Sequence, residues 1–143
     1  MKYSVSNTIN RPLEEVAAKF NEPDGALNWM EGLKRIEHLS GTAGEVGAKS
    51  NFHFVHKGKD MMIEETILEQ DLPRQIKFAY RSPMGYNEVE MLFEKLSDNS
   101  VKQTNNSYFE MKGFMKVMGF MMKGMFKKQS MIYMDAFKKY VEQ

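Results

Sequence analysis

The chain contains no cysteine. That excludes a disulfide framework and any zinc site built on thiolates, and it suits a reducing compartment. No segment approaches the ~18 consecutive apolar residues of a membrane-spanning helix. The opening residues, Met1 to Asn7, lack the apolar run of a secretory leader. A soluble, cytoplasmic protein is therefore expected. The formal net charge is only +1, which argues against a general nucleic-acid binder. No linker, internal repeat or low-complexity stretch divides the 143 residues, so one domain spanning 1–143 is expected, large enough to bury a real core. Nothing decides between a monomer and a homodimer.

What the chain does have is methionine: 14 in all, eight of them between Met111 and Met134. Methionine is unbranched and polarisable, and it suits cores or surfaces that must adapt to what they touch. The same region is basic. Residues 112–143 carry seven lysines and two acids, a net +5, while the remainder carries 13 basic and 17 acidic residues, a net −4. A basic C-terminal helix on an acidic body is expected, with weak attraction to an anionic membrane surface as a secondary expectation.

The hydrophobic period divides the chain. Tyr3 to Ile9 alternates as a half-buried strand. Pro12 opens a helix with Glu14 and Glu15 near its positive end, and Leu13, Val16, Ala17 and Phe20 recur at helical spacing. A second short helix is predicted from Pro23–Asp24, carrying Leu27 and Trp29. Six strands follow: Arg35–Ser40, Ser50–His56, Met61–Gln70, Gln75–Arg81, Tyr86–Leu96 and Val101–Met111. Short turns join them, so an antiparallel meander is expected.

The last ~30 residues return to helical period. At 100° per residue, Phe114, Met115, Val117, Met118, Met121, Met122 and Met125 fall on one half of the helix. Lys112, Lys116, Lys123 and Lys127 lie opposite, and Phe120 is an outlier. A second stripe holds Phe126, Tyr133, Met134, Phe137, Tyr140 and Val141. Gly119 and Gly124 each cost about 1 kcal/mol relative to Ala inside a helix, which predicts a break near them. The predicted architecture is α+β, in the order β-α-α-β6-α. A seven-stranded antiparallel sheet curls around the long C-terminal helix, with space beneath that helix for a ligand.

Residues along the whole chain carry a resemblance: Ile9-Asn-Arg-Pro-Leu-Glu-Glu-Val16, Trp29, the hairpin Leu39 to Gly47, the strand and Pro turn Thr66 to Ile76, and Phe126-Lys-Lys-Gln-Ser130 leading to Ala136. In these the chain resembles the START/polyketide-cyclase-like (SRPBCC) superfamily with its helix-grip fold. The resemblance implies an internal hydrophobic cavity between sheet and long helix. It is specific for fold and weak for activity, because the superfamily hosts transporters, binders, cyclases and co-chaperones.

Few residues suggest chemistry. His53 and His56 point to opposite faces of one strand and His38 lies on another, so no histidine metal site is expected. The Met115–Met125 thioethers could bind copper(I), but their sharing a face with Phe114 fits apolar packing better. No metal or cofactor is predicted. Glu88 and Glu90 alternate with Val89, Met91 and Phe93 and should face solvent. One of Glu64 and Glu65 must turn inward, where burial would raise its pKa and fit it for general-base work. Arg81 is a candidate partner for it. Tyr80, Tyr86, Tyr108 and Tyr133 could supply polar handles.

The leading reading is a non-enzymatic binder or carrier of a lipid-like, polyketide-like or aromatic molecule. Its candidate ligand-binding residues are Trp29, Phe52, Phe54, Phe78, Tyr80, Met91, Met118, Met122, Met125 and Tyr133. One alternative is a cyclase- or dehydratase-type enzyme, for which Glu65 and His53 are the nominees. The other is a membrane- or partner-docking module that uses the Met-rich basic helix.

Overall fold

The computed structural model describes residues 1–110 and 113–143, with the side chains of residues 114, 115 and 120 left aside. The sequence-based placements of Met111, Lys112 and the Phe114, Met115 and Phe120 side chains lie outside these described residues.

The order is β1 (Lys2–Ile9), α1 (Leu13–Phe20), a 3-10 turn (Gly25–Asn28), β2 (Leu33–Ser40), β3 (Lys49–His56), β4 (Lys59–Asp71), β5 (Gln75–Ser82), β6 (Gly85–Ser97), β7 (Ser100–Glu110), α2 (Phe114–Met121) and α3 (Lys123–Val141). The strands form one antiparallel sheet in the order β1-β7-β6-β5-β4-β3-β2. Strands β2 to β7 are a plain meander, and β1 closes onto β7. The short helix expected at Pro23–Asp24 is instead a single 3-10 turn that starts at Gly25 and ends before Trp29. The predicted helix break falls at Met122, between α2 and α3.

Alternation along each strand separates the two faces. On the concave face lie Ile67, Ile76, Phe78, Met91, Phe93 and Val101, joined by Val16 of α1 and by Phe137 and Val141 of α3. Irregularities in pairing between Ile67 and Glu69, and between Leu33 and Arg35, add the local twist that curls the sheet. Glu88 and Glu90 take the outer face, where Glu88 pairs with Lys77 and Glu90 accepts from Gln75 and Asn106.

The position of α3 follows from its polar contacts. The Tyr3 hydroxyl is 2.7 Å from Ser130 Oγ, and Asn7 Nδ2 donates to Asp135 at 2.9 Å. Near the C-terminus, Lys138 Nζ donates to the Thr8 carbonyl and to Glu142, both at 2.7 Å. Arg11 donates to the Glu142 carbonyl, and Asn10 N–H to its carboxylate. Phe126 stacks on Phe109 with ring centroids 4.6 Å apart. These contacts hold α3 along β1, β7 and α1, at one edge of the sheet. Among the described residues no helix lies directly on the concave face of β3, β4 and β5, and that gap is the cavity.

Candidate functional site

The gap is a cavity of about 1010 Å³, bounded by the concave sheet, the 3-10 turn, the β2–β3 loop and α3. Small-molecule sites run roughly 300–1,000 Å³, so this one is large. Its apolar walls include Trp29, Phe52, Phe54, Phe78 and Met91, and Tyr80 and Tyr133 add hydroxyls. These are seven of the residues nominated from sequence.

The other three nominees stand elsewhere. Met118, Met122 and Met125 do not contribute to the lining, and Met125 is exposed. On α2, Val117 and Met121 point to solvent, 66% and 77% exposed. The period of the helix identified an apolar half but not which half meets the sheet. The break at Met122 starts a new helix, and its inner face is the second stripe: Phe126, Tyr133 and Met134, together with Gln129 and Ser130.

His53 is likewise on the outer face. Its Nε2 lies 3.1 Å from Glu37 Oε1, and that contact with a bond from Asn51 holds the Glu37 carboxyl below its ordinary value. Tyr86 donates to Glu88 on the outer face, and Tyr108 lines an outer groove with Lys77 and Glu88. Arg81 sits over the Tyr86 ring, 4.8 Å from its centroid, and has no part in the cavity. Among the described residues no cluster of His, Asp and Glu could hold a metal ion.

Of the adjacent pair on β4, Glu64 turns outward to Lys49 and Glu65 turns inward. Register gives Glu65 its neighbours. Tyr80 of β5 is directly opposite it, Ser50 of β3 is opposite on the other side, and the row continues to His38 of β2 and Asn87 of β6. All five line the cavity. The row is a polar belt across five strands, between apolar rows. On one side run Ile67, Phe78 and Val89, and on the other Ile36, Phe52 and Ile63.

Within the belt the Tyr80 hydroxyl donates to Glu65 Oε2 at 2.9 Å. Burial raises the Glu65 pKa to about 7, an effect the Tyr80 bond only partly offsets. Burial first, and then the neighbouring carboxyl, push the Tyr80 phenol well above its ordinary value. Burial also raises Tyr133. Glu65 therefore changes charge near neutrality while both phenols stay protonated.

A second polar set was not foreseen. Asn87, Gln103, Asn105 and Ser107 of β6 and β7 are buried at the cavity wall. Ser107 Oγ donates to Asn105 Oδ1 at 2.6 Å, and Gln103 Nε2 donates to Asn7 Oδ1 at 2.8 Å. From Val101 to Tyr108 both faces of β7 are largely polar, so alternation of polarity could not mark its inner face. Trp29 packs edge-on against Phe137 with centroids 5.2 Å apart. Its indole Nε1 is buried without a hydrogen-bond partner among the described residues.

A curled sheet gripping a C-terminal helix around a ligand-sized cavity defines the helix-grip class. Residues 1–142 match the model of the polyketide cyclase/dehydrase and lipid transport family, and the chain belongs to that family. Similar solved structures include the ZhuI aromatase/cyclase from Streptomyces sp. R1128, with TM-score 0.84, 13% identity, and coverage of 99% of this chain and 93% of that one. Another is Ara h 8.0201, with TM-score 0.75, 16% identity and coverage of 99% and 97%. A point mutant of norcoclaurine synthase from Thalictrum flavum, in complex with a transition-state analogue, has TM-score 0.75, 14% identity and coverage of 99% and 93%. At these identities the likeness establishes fold alone. No curated protein matches by sequence. Among the described residues no helix is long and apolar enough to cross a membrane.

Proposed function

We propose that the protein binds a hydrophobic small molecule between the sheet and α3, as a carrier or binding protein. The observation that supports this reading most is the cavity itself: about 1010 Å³, walled by aromatic and aliphatic side chains with a few convergent polar groups. The family description, which couples cyclase and dehydrase chemistry with lipid transport, agrees with an apolar ligand. Native mass spectrometry of the purified protein with a panel of apolar compounds tests it. A 1:1 complex with at least one is expected, and uptake of none contradicts the reading.

An enzymatic reading has one specific observation in its favour. Glu65, with its pKa of about 7, faces the same cavity beside the protonated phenols of Tyr80 and Tyr133. A carboxyl poised there can take a proton from an acidic carbon or return one to an oxygen near neutral pH. His53, on the outer face, has no part in it. Turnover of an enolisable aromatic ketone, abolished in Glu65→Gln, would establish this reading. Unchanged turnover in that variant would remove Glu65 from it.

The docking reading has support as well. Val117, Met121 and Met125 are 66%, 77% and 55% exposed, and Lys116, Lys123 and Lys127 are exposed in the same segment. Apolar side chains flanked by lysines suit the interface of an anionic bilayer. Co-sedimentation with phosphatidylserine vesicles, weakened by salt and by Met121→Glu, is expected. Absence of binding at low salt contradicts it.

A further inference from the structure

The Asp, Glu, Lys and Arg side chains that line the cavity, among the described residues, are all acidic. Among the described residues the lining includes the carboxyls of Glu22, Asp24 and Glu65, and no Lys or Arg. The one other ionisable group of basic type is His38, at the exposed rim, and its Nε2 is 2.9 Å from the Gly41 carbonyl. None of the described lysines and arginines lines this cavity.

Glu65 is the deep member of this set. Glu22 accepts from Tyr140 and lies near Lys19, and Asp24 is exposed. Glu65 has one protein donor, the Tyr80 hydroxyl on Oε2, and among the described residues nothing donates to Oε1. Tyr133 of α3 faces the pair from across the cavity, and Ser50 of β3 flanks it. Glu65 is half-buried, and its unused oxygen is open to a donor or a cation from the cavity.

We infer that the ligand is a hydrophobic amine, an apolar body carrying a protonated nitrogen that pairs with Glu65 Oε1, and that anionic amphiphiles are excluded. This rests on the ligand-binding reading above and narrows it. An ammonium carries three donors and no acceptor. Glu65 can take one, Ser50 Oγ is an acceptor in the same belt, and the Tyr133 hydroxyl is an acceptor on α3 across the cavity. The aromatic walls add cation–π attraction. A fatty carboxylate or a phosphate would meet Glu65 with no Lys or Arg among the described lining residues to neutralise either charge. Its desolvation would go uncompensated.

Matched ten-carbon probes test the inference: decylamine, decanol and decanoate, titrated at pH 8 against the full chain, with the fluorescence of Trp29 and calorimetry as readouts. Decanol measures apolar binding alone. Decylamine is expected to bind tighter than decanoate by about tenfold to a hundredfold, the range of one charge-assisted hydrogen bond. The amine-to-decanol ratio is expected to fall at least about tenfold in Glu65→Gln. Ser50→Lys places an ammonium beside Glu65 and is expected to abolish the amine preference. Decanoate binding as tightly as decylamine overturns the inference, as does an amine preference that survives in Glu65→Gln, while decanol binding leaves the broader reading standing. If none of the three probes binds, both fall.

Discussion

Tyr80 and Glu65 occupy directly opposed positions on β5 and β4, and the phenol hydroxyl donates to the carboxyl at 2.9 Å within a polar belt between two apolar rows. This pair makes the cavity more than a packing defect. A simple apolar core would place Ile or Val at both positions and lose the cost of a buried carboxyl. The pair also gives the protein a measurable electrostatic signature.

Stability should fall as pH rises from about 4.5 to about 7. The folded protein holds the Glu65 pKa at about 7, against an ordinary 4.5. Below pH 4.5 the carboxyl is protonated in both states and costs nothing. Above it the unfolded chain releases the proton first, so stability is lost until the folded group also ionises. The full cost is about 3 kcal/mol, because stability changes by roughly 1.4 kcal/mol for each pH unit between those two values. Denaturant unfolding across pH 4 to 8 should show this slope in the wild type, and Glu65→Gln should remove this contribution. A slope that persists unchanged in the variant contradicts the assignment.

Tyr80→Phe should raise the Glu65 pKa further, because the phenol is the one hydrogen bond that favours the carboxylate. The carboxyl carbon resonance of Glu65, followed by NMR through a titration, reads this directly. A midpoint that moves downward would show that Tyr80 does not donate to the ionised form.

Phe137→Ala should cost about 3–5 kcal/mol. Phe137 is 0% exposed, and its ring meets Phe20 and Trp29 edge-on, each with centroids 5.2 Å away. Val117→Ala, at a position that is 66% exposed, should stay within about 0.5 kcal/mol. Urea unfolding of both variants checks the contrast. Equal losses would mean that the outer face of α2 is packed against something.

Much of this architecture was legible in the residues. Period-two alternation and the turns between strands located all seven strands to within two or three residues, and the glycines foretold a break near Met122. The same alternation required that Glu64 or Glu65 turn inward. It could not say which, nor that Tyr80 rather than Arg81 would meet the carboxyl, because that depends on register. The methionines failed for a related reason. Helical period shows that Met118, Met121, Met122 and Met125 share a side of the segment. Which side meets the sheet is decided by distant contacts such as Tyr3 with Ser130 and Phe109 with Phe126. Asn105 and Ser107 were invisible, since a strand that is polar on both faces carries no alternation in polarity.

The methionines also provide the most direct test, because they occupy both sides of the question. Met91 and Met134 line the cavity, 6% and 3% exposed, while Met121 and Met125 stand on the outer surface. With the methionine methyl groups labelled with carbon-13, titration of an apolar ligand such as decanol should shift the Met91 and Met134 resonances and give ligand-to-methyl NOEs there. Met121 and Met125 should stay in place. Shifts and NOEs confined to Met121 and Met125 would put the ligand on the outer helix face and contradict binding between the sheet and α3.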